Sequence, residues 1–279
     1  MAIKLYKPTT PARRKASVST MPKSSGKPAK LPKRLLGGTT KRQGRSSTGG
    51  ITVRRRGAGA KRQVRVVDLA QAKEVPATVE AIHYDPNRTA RLALLKYVDG
   101  DRRFVLAEQT MKIGQKIAVG GKAPLKTGNR LPLRRIPAGT AVFNVQQRPE
   151  GSGTFVRSAG SSATVTGQER GQTLVKMPSG EVRRIPGDCL ATMGQASNRE
   201  HENVRIGKAG RSRHMGHRPK VRGKAMNPVD HPHGGGEGQQ PIGLKGPKTP
   251  SGLYTLGRKT RKKGRAIRRA KRIVRDRQR

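Results

Sequence analysis

Between residues 75 and 193, apolar and polar positions alternate in short runs separated by Gly, Pro and Asp, the pattern of half-buried strands joined by tight turns. A first group of strands is predicted at Val75 to Tyr84, Arg91 to Val98, Arg102 to Ala107 and Gln115 to Val119. Asp99-Gly100, between the second and third of these, reads as a two-residue hairpin turn. A second group is predicted at Thr140 to Gln146, Ser162 to Gly167, Gln172 to Met177, Glu181 to Ile185 and Cys189 to Met193. Pro178-Ser179-Gly180 carries proline and glycine where a type II turn wants them. Asn129 to Pro137, rich in Leu, Arg and Pro, is expected to connect the two groups. Strands of this length and spacing close most easily into small barrels, so the predicted fold is mainly β, with two small β-barrels in tandem.

Neither end continues this pattern. Residues 1–60 are broken by Pro and by Gly37-Gly38, Gly49-Gly50 and Gly57-Ala58-Gly59, so a long arm is predicted there. Residues 201–257 are predicted to be extended loop, since 14 of the 35 positions from Gly223 to Gly257 are Gly or Pro. Ala266, Ile267, Ala270, Ile273 and Val274 then recur at helical spacing among Arg and Lys, predicting a short basic helix. The expected division is 1–65, basic N-terminal extension; 66–126, first barrel; 127–200, second barrel; and 201–279, basic C-terminal extension.

Charge sharpens this division. The 279 residues hold 62 Lys+Arg and 16 Asp+Glu, a formal charge of +46. Residues 1–65 hold 19 basic and no acidic residues, and 201–279 hold 23 basic and 4 acidic, whereas 66–200 hold 20 and 12. Such arms repel themselves and carry too little apolar surface to order alone, so a polyanion is the expected partner. The single cysteine, Cys189, excludes an internal disulfide and fits a reducing cytoplasm. No apolar run approaches the roughly 20 residues of a membrane span. The acid-free N-terminus imitates an organellar transit peptide, but Pro8, Pro11, Pro22, Pro28 and Pro32 interrupt the amphipathic helix such a peptide needs.

The arms lack the interleaved aromatics of a single-strand stacking platform, with Tyr6 and Tyr254 isolated near the two ends. They therefore read as followers of backbone and shape in folded RNA. Arg54, Arg55 and Arg56 and the cluster Arg261, Lys262, Lys263 and Arg265 are the expected phosphate contacts. His214, His217, His231 and His233 could hold zinc in principle, but Arg211, Arg213 and Arg218 oppose a dication and Pro232 fixes the chain between the second pair. His231 beside Asp230 could act as a general base, yet no nucleophile accompanies it; hydrogen bonding to RNA, with glycines permitting close approach, is the favoured role. Gly234-Gly235-Gly236-Glu237-Gly238 lacks the preceding strand and the Lys-Ser/Thr of a phosphate-binding loop.

Met226-Asn227-Pro228-Val229-Asp230-His231-Pro232-His233-Gly234-Gly235-Gly236-Glu237-Gly238 resembles the signature of the bacterial large-subunit ribosomal protein L-two family. Tyr6-Lys7-Pro8-Thr9-Thr10-Pro11, Tyr84-Asp85-Pro86-Asn87-Arg88, Arg157-Ser158-Ala159-Gly160, Pro178 to Arg183 and Gly207 to Arg213 are similar too. The resemblance implies an oligonucleotide-binding-like barrel followed by an SH3-like barrel. It further implies primary binding to large-subunit ribosomal RNA, a bridge to the small subunit, neighbouring ribosomal proteins, and support of tRNA binding and the peptidyl-transferase region. His231 matches a histidine discussed in connection with peptide-bond formation; with the chemistry assigned to RNA, it is expected to contact and organise RNA. Three departures stand out: His214 replaces a usual aromatic, Ser251 a common Trp, and Lys224 a small apolar residue. Residues 12–34 match little.

The expected protein is thus a non-enzymatic constituent of the cytoplasmic ribosome, neither membrane-bound nor homo-oligomeric. No cofactor is expected beyond RNA-associated magnesium. Besides the positions above, Lys61, Arg62, Arg88, Arg157, Arg205, Lys208, Lys220, Arg222, Lys224, Asn227, Gly234, Gly235 and Gly236 are expected to meet RNA. Two other classes predict different behaviour. A DNA-architectural protein would prefer duplex DNA at matched salt, but no recognition helix or repeated wedge residue is evident. A histidine- or metal-dependent nuclease or transferase would turn over substrate without RNA.

Overall fold

The computed structural model describes residues 3–20, 31–38, 42–57, 59–237, 241–257 and 273–274. These fall into two compact units, one drawn from 1–40, 61–209 and 270–279, the other from 41–60 and 210–269.

The first unit holds nearly all the regular structure. At its start β1 (Ile3–Leu5) pairs antiparallel with β2 (Ser17–Ser19) across the short helix α1 (Pro11–Arg14). Pro11 begins α1 and the Thr10 Oγ1 accepts from the Arg13 N–H at 3.4 Å, a proline start with a threonine cap. This hairpin is tied to the beginning of the C-terminal extension. The Ser17 N–H donates to the Arg205 carbonyl at 3.0 Å, and the Arg205 N–H to Ser17 Oγ at 2.8 Å. β3 (Leu36–Gly37) then pairs with β4 (Val64–Arg65).

The first curled sheet has the order β7-β6-β5-β8, with β5 (Ala77–His83), β6 (Leu92–Tyr97), β7 (Arg102–Leu106) and β8 (Lys116–Ile117). These strands lie within the four predicted runs. Its alternate residues Val79, Ala93, Leu95, Tyr97, Val105 and Ile117 form one core. The β6–β7 hairpin differs from the two-residue expectation. The Tyr97 N–H donates to the Asp101 carbonyl and the Gly100 N–H to the Tyr97 carbonyl, so Val98, Asp99 and Gly100 form a three-residue loop. Gly100, at φ +82°, takes the left-handed position that closes such a loop.

The second sheet contains β9 (Arg130–Pro132), β10 (Ala141–Phe143), β13 (Ala163–Glu169), β14 (Gln172–Lys176), β15 (Val182–Pro186), β16 (Leu190–Met193) and β17 (Ile273–Val274). The order is β17-β15-β14-β13-β10-β16-β9, while β11 (Val145–Gln146) and β12 (Gly153–Phe155) pair separately. Leu131, Val142, Val165, Val175, Ile185 and Ala191 fill its core. Three expectations are corrected here. Asn129 to Pro137 is not a connector: Arg130–Pro132 is the edge strand β9 paired with β16, and Leu131, Leu133 and Ile136 are wholly buried. Pro132 is tolerated because an edge strand need not donate on its outer side. In the β14–β15 hairpin the Gly180 N–H donates to the Met177 carbonyl, so Gly180, with φ +82°, stands at the fourth turn position rather than the third, and Pro178 is the second residue of a type I turn that starts at Met177 and is closed by a left-handed glycine. Finally Ile273 and Val274, expected to be helical, pair antiparallel with Val182 and Arg183; β-branched residues suit an available sheet edge. The rest of the expected helix lies outside the described residues.

Leu92, Leu94, Phe104 and Leu106 meet Phe143 and Ala196 in a further cluster of this unit. Arg130 is buried beside the second core. Its Nη1 donates to the Asn144 carbonyl at 2.8 Å and Thr192 Oγ1 at 3.1 Å, and burial pushes its pKa down to about 10.

Candidate nucleic-acid interface

The second unit brings together basic segments far apart in sequence. Residues 54–57 and 59–60 run antiparallel to 214–221. The Ala60 N–H donates to the His214 carbonyl at 2.9 Å, the Gly57 N–H to the Gly216 carbonyl at 3.1 Å, and the Arg218 N–H to the Arg55 carbonyl at 3.0 Å. Side chains reinforce this ribbon. Arg55 Nη2 donates to the Val221 carbonyl at 3.2 Å and Arg56 Nη1 lies 2.9 Å from His217 Nδ1. A guanidinium cannot accept, so His217 Nδ1 is the acceptor. Arg54, Arg56, Arg218, Lys220 and Arg222 remain exposed along the ribbon. Arg211, Arg213 and His214 lie on the six-residue helix α2 (Ala209–His214), within what was expected to be extended chain. The Arg211 and Arg213 guanidinium groups stand in its last turn, where they complement the carbonyl end. Segments 41–60 and 210–269 contain acids only at Asp230 and Glu237, so little opposes a phosphate there.

The signature segment folds against itself. His231 is only 7% exposed, and its Nδ1 accepts the His233 N–H at 3.0 Å. His233 Nε2 accepts the Lys248 N–H at 2.8 Å, and the two rings are 4.7 Å apart. Both imidazoles therefore serve as acceptors for backbone. Desolvation, then His231 and Lys248, lower the His233 pKa and favour the neutral ring that this needs. The glycines permit close approach within the chain: a Cβ on Gly223 would lie 2.5 Å from His231 Cε1, and one on Gly234 would lie 2.3 Å from the Asn227 carbonyl oxygen. The turn Asn227–Asp230 is closed by the Asp230 N–H to the Asn227 carbonyl at 3.0 Å, and its apex residue Val229 is 90% exposed. Asn227 and Gly236 are exposed, whereas Lys224, His233, Gly234 and Gly235 are half-buried.

The remaining expected positions lie in the first unit or outside the described residues. Arg62 Nη1 donates to the Pro86 carbonyl at 3.0 Å, and Arg88 Nε donates to the buried Asp85 carboxylate at 2.7 Å, so both brace the turn after β5. Lys61, Arg157, Arg205 and Lys208 are exposed. Arg261, Lys262, Lys263 and Arg265 lie outside the described residues. Sequence reading missed Arg183, whose guanidinium stands 4.8 Å from the centre of the Phe155 ring; 28 positions separate the two and no motif links them. Acids in the first unit are largely engaged, with Asp101 held down to about 2 mainly by its hydrogen bond from Arg103, and Asp99 paired with Lys73.

Among the described residues no three of His, Cys, Asp or Glu come together as metal ligands, and no helix is long and apolar enough to cross a membrane. Two family models match the chain: Ribosomal Proteins L2, RNA binding N-terminal domain, over residues 32–119, and Ribosomal Proteins L2, C-terminal domain, over residues 126–252. Both suit the barrel-type sheets seen here. An RNA-binding structural constituent of the large ribosomal subunit accounts for the fold and charge together, and the chain belongs to the ribosomal protein L-two family.

Proposed function

We propose that the chain grips large-subunit ribosomal RNA chiefly through the arginine-rich ribbon of residues 54–57, 59–60 and 214–222. The observation that carries this reading is the backbone pairing of two cationic segments about 160 positions apart in sequence. Self-repelling chains held side by side with almost no acid between them need an anionic partner to offset their repulsion. Exposed Lys61, Arg157, Arg205 and Lys208 extend the phosphate contacts on the first unit. The four-part division into two extensions and two barrels (1–65, 66–126, 127–200, 201–279) remains the functional reading of the chain. No catalytic role is assigned, and magnesium enters only as an ion associated with RNA.

His231 acts from inside the signature loop, shaping the surface that faces RNA. A ring engaged at Nδ1 and packed on Gly223 is poorly placed to exchange protons with a substrate. The bridge to the small subunit and support of tRNA binding and of the peptidyl-transferase region follow from the family resemblance, and the chain is read as not homo-oligomeric. Cells carrying His231→Ala as the sole copy test the organising role. Sucrose-gradient profiles should show fewer assembled ribosomes or impaired subunit joining, while the barrels melt unchanged within the purified full-length variant. Normal profiles and translation would remove that role.

A further inference from the structure

Arg183 and Phe155 belong to a pocket beside β15, with a volume of about 290 Å3, that holds none of the phosphate contacts assigned above. Gln147, Arg148, Phe155, Gln172, Arg183 and Arg184 are among its lining residues. Phe104 and Phe143 are wholly buried, whereas Phe155 is half-buried and open to the pocket, and the chain has no tryptophan. The Arg183 guanidinium lies over the Phe155 ring at 4.8 Å, and its Nη2 is held by Glu181 Oε2 at 3.3 Å. Ring below and carboxylate beside thus fix a planar cation before any ligand arrives. Arg183 Nε is buried with no hydrogen-bond partner among the described residues. A neighbouring pocket shares Gln172 and Arg184 and adds Arg170 and Glu169; Glu169 Oε2 lies 3.5 Å from Arg184 Nη2 at the exposed rim, so Arg170 is the cation added there.

We propose that this pocket receives a single unstacked nucleotide of ribosomal RNA. Its base stacks on the Phe155–Arg183 platform, its edge meets the Gln147 and Gln172 amides, and its phosphates lie against Arg148 and Arg184. Bases stack on aromatic rings and on guanidinium planes alike, and the two amides each offer a donor and an acceptor. A duplex would not enter, because its bases are already stacked. The arms follow phosphates, whereas this site requires a base. The proposal rests on RNA binding by the chain, yet its failure can be told apart from failure of that reading.

The test uses the full chain, a short single-stranded oligoadenylate and an abasic oligomer of equal length and charge, competed at salt high enough to weaken the arms. The wild type should prefer the base-bearing oligomer by about fivefold or more, the low end for one stacked base. Phe155→Leu and Arg183→Gln should each bring that ratio close to one while leaving abasic affinity within about twofold for Phe155→Leu. Equal affinities in the wild type, or a preference untouched by both substitutions, overturns the site. Loss of binding to large-subunit ribosomal RNA by the wild type would instead count against the function proposed above and, with it, this site.

Discussion

Gly234→Ala is the sharpest perturbation of the signature loop. The added Cβ would sit 2.3 Å from the Asn227 carbonyl oxygen, 2.4 Å from its carbon and 2.6 Å from the Met226 oxygen. All three are backbone atoms, so no side chain can swing aside. Moving Asn227 strains the bonds it accepts from the Asp230 and His231 N–H groups at 3.0 and 3.3 Å, and moving Met226 strains the one from the Gly235 N–H at 3.1 Å. At ~0.5–1.5 kcal/mol each, three lost bonds amount to roughly 1.5–4.5 kcal/mol. A midpoint near 3 kcal/mol corresponds to amide exchange faster by on the order of a hundredfold. Hydrogen exchange should show this at Asp230, His231 and Gly235, and not in the barrel strands. Gly210→Ala, on α2 with no atom within 4 Å of the new Cβ, is the control. Unchanged protection in Gly234→Ala would refute the close-approach account of this glycine.

Replacing Arg54, Arg55 and Arg56 together by Gln should lower the salt slope of RNA binding by about 2–3, at ~0.7–0.9 per phosphate contact, read from affinities across a salt series. A slope that does not move would show that these side chains do not meet phosphate. Because the His233 pKa is lowered from 6.5, the unfolded loop takes up a proton more readily than the folded one. Loop stability should therefore be complete above pH 6.5 and decline as pH falls through the folded value, as followed by the protection of the Lys248 amide; His233→Gln should flatten that decline. Burial, with smaller contributions from nearby acids, pushes the Tyr97 hydroxyl up to about 12 from 10.0, so its neutral form is favoured in the fold. Its contribution should hold below pH 10 and fade towards pH 12, giving wild type a steeper loss of melting temperature there than Tyr97→Phe.

The central strands were legible because short apolar runs end at turn residues: Val79 and Ile185 stand between polar or turn-forming neighbours, whereas β6 is nearly continuous because Ala93 and Leu95 enter one core and Leu92 and Leu94 another. Arg130–Pro132 was not: a short edge strand with arginine turned inward and proline at its end carries no alternation to detect. Both hairpins were located by their glycines, yet the loop length depends on which carbonyl the last strand residue meets, and composition does not encode that. At the candidate site, charge alone marked Arg54 to Arg56 and Arg218 to Arg222 as cationic. Their pairing runs through backbone groups common to every residue, so no side-chain pattern announces it. The signature was visible as a motif, but the direction of its histidines was not. A histidine that accepts a backbone N–H and one that faces a ligand look identical in sequence.

If the ribbon is the surface that grips RNA, its two distant basic segments must meet the same RNA. Ultraviolet crosslinking in cells, followed by sequencing of the RNA attached to each peptide, tests this most directly. Peptides holding Arg54 to Arg56 and Arg218 to Arg222 should both carry large-subunit ribosomal RNA, from nucleotides that neighbour one another in its folded form. Recovery of unrelated RNA, or crosslinks confined to the barrel strands, would contradict it.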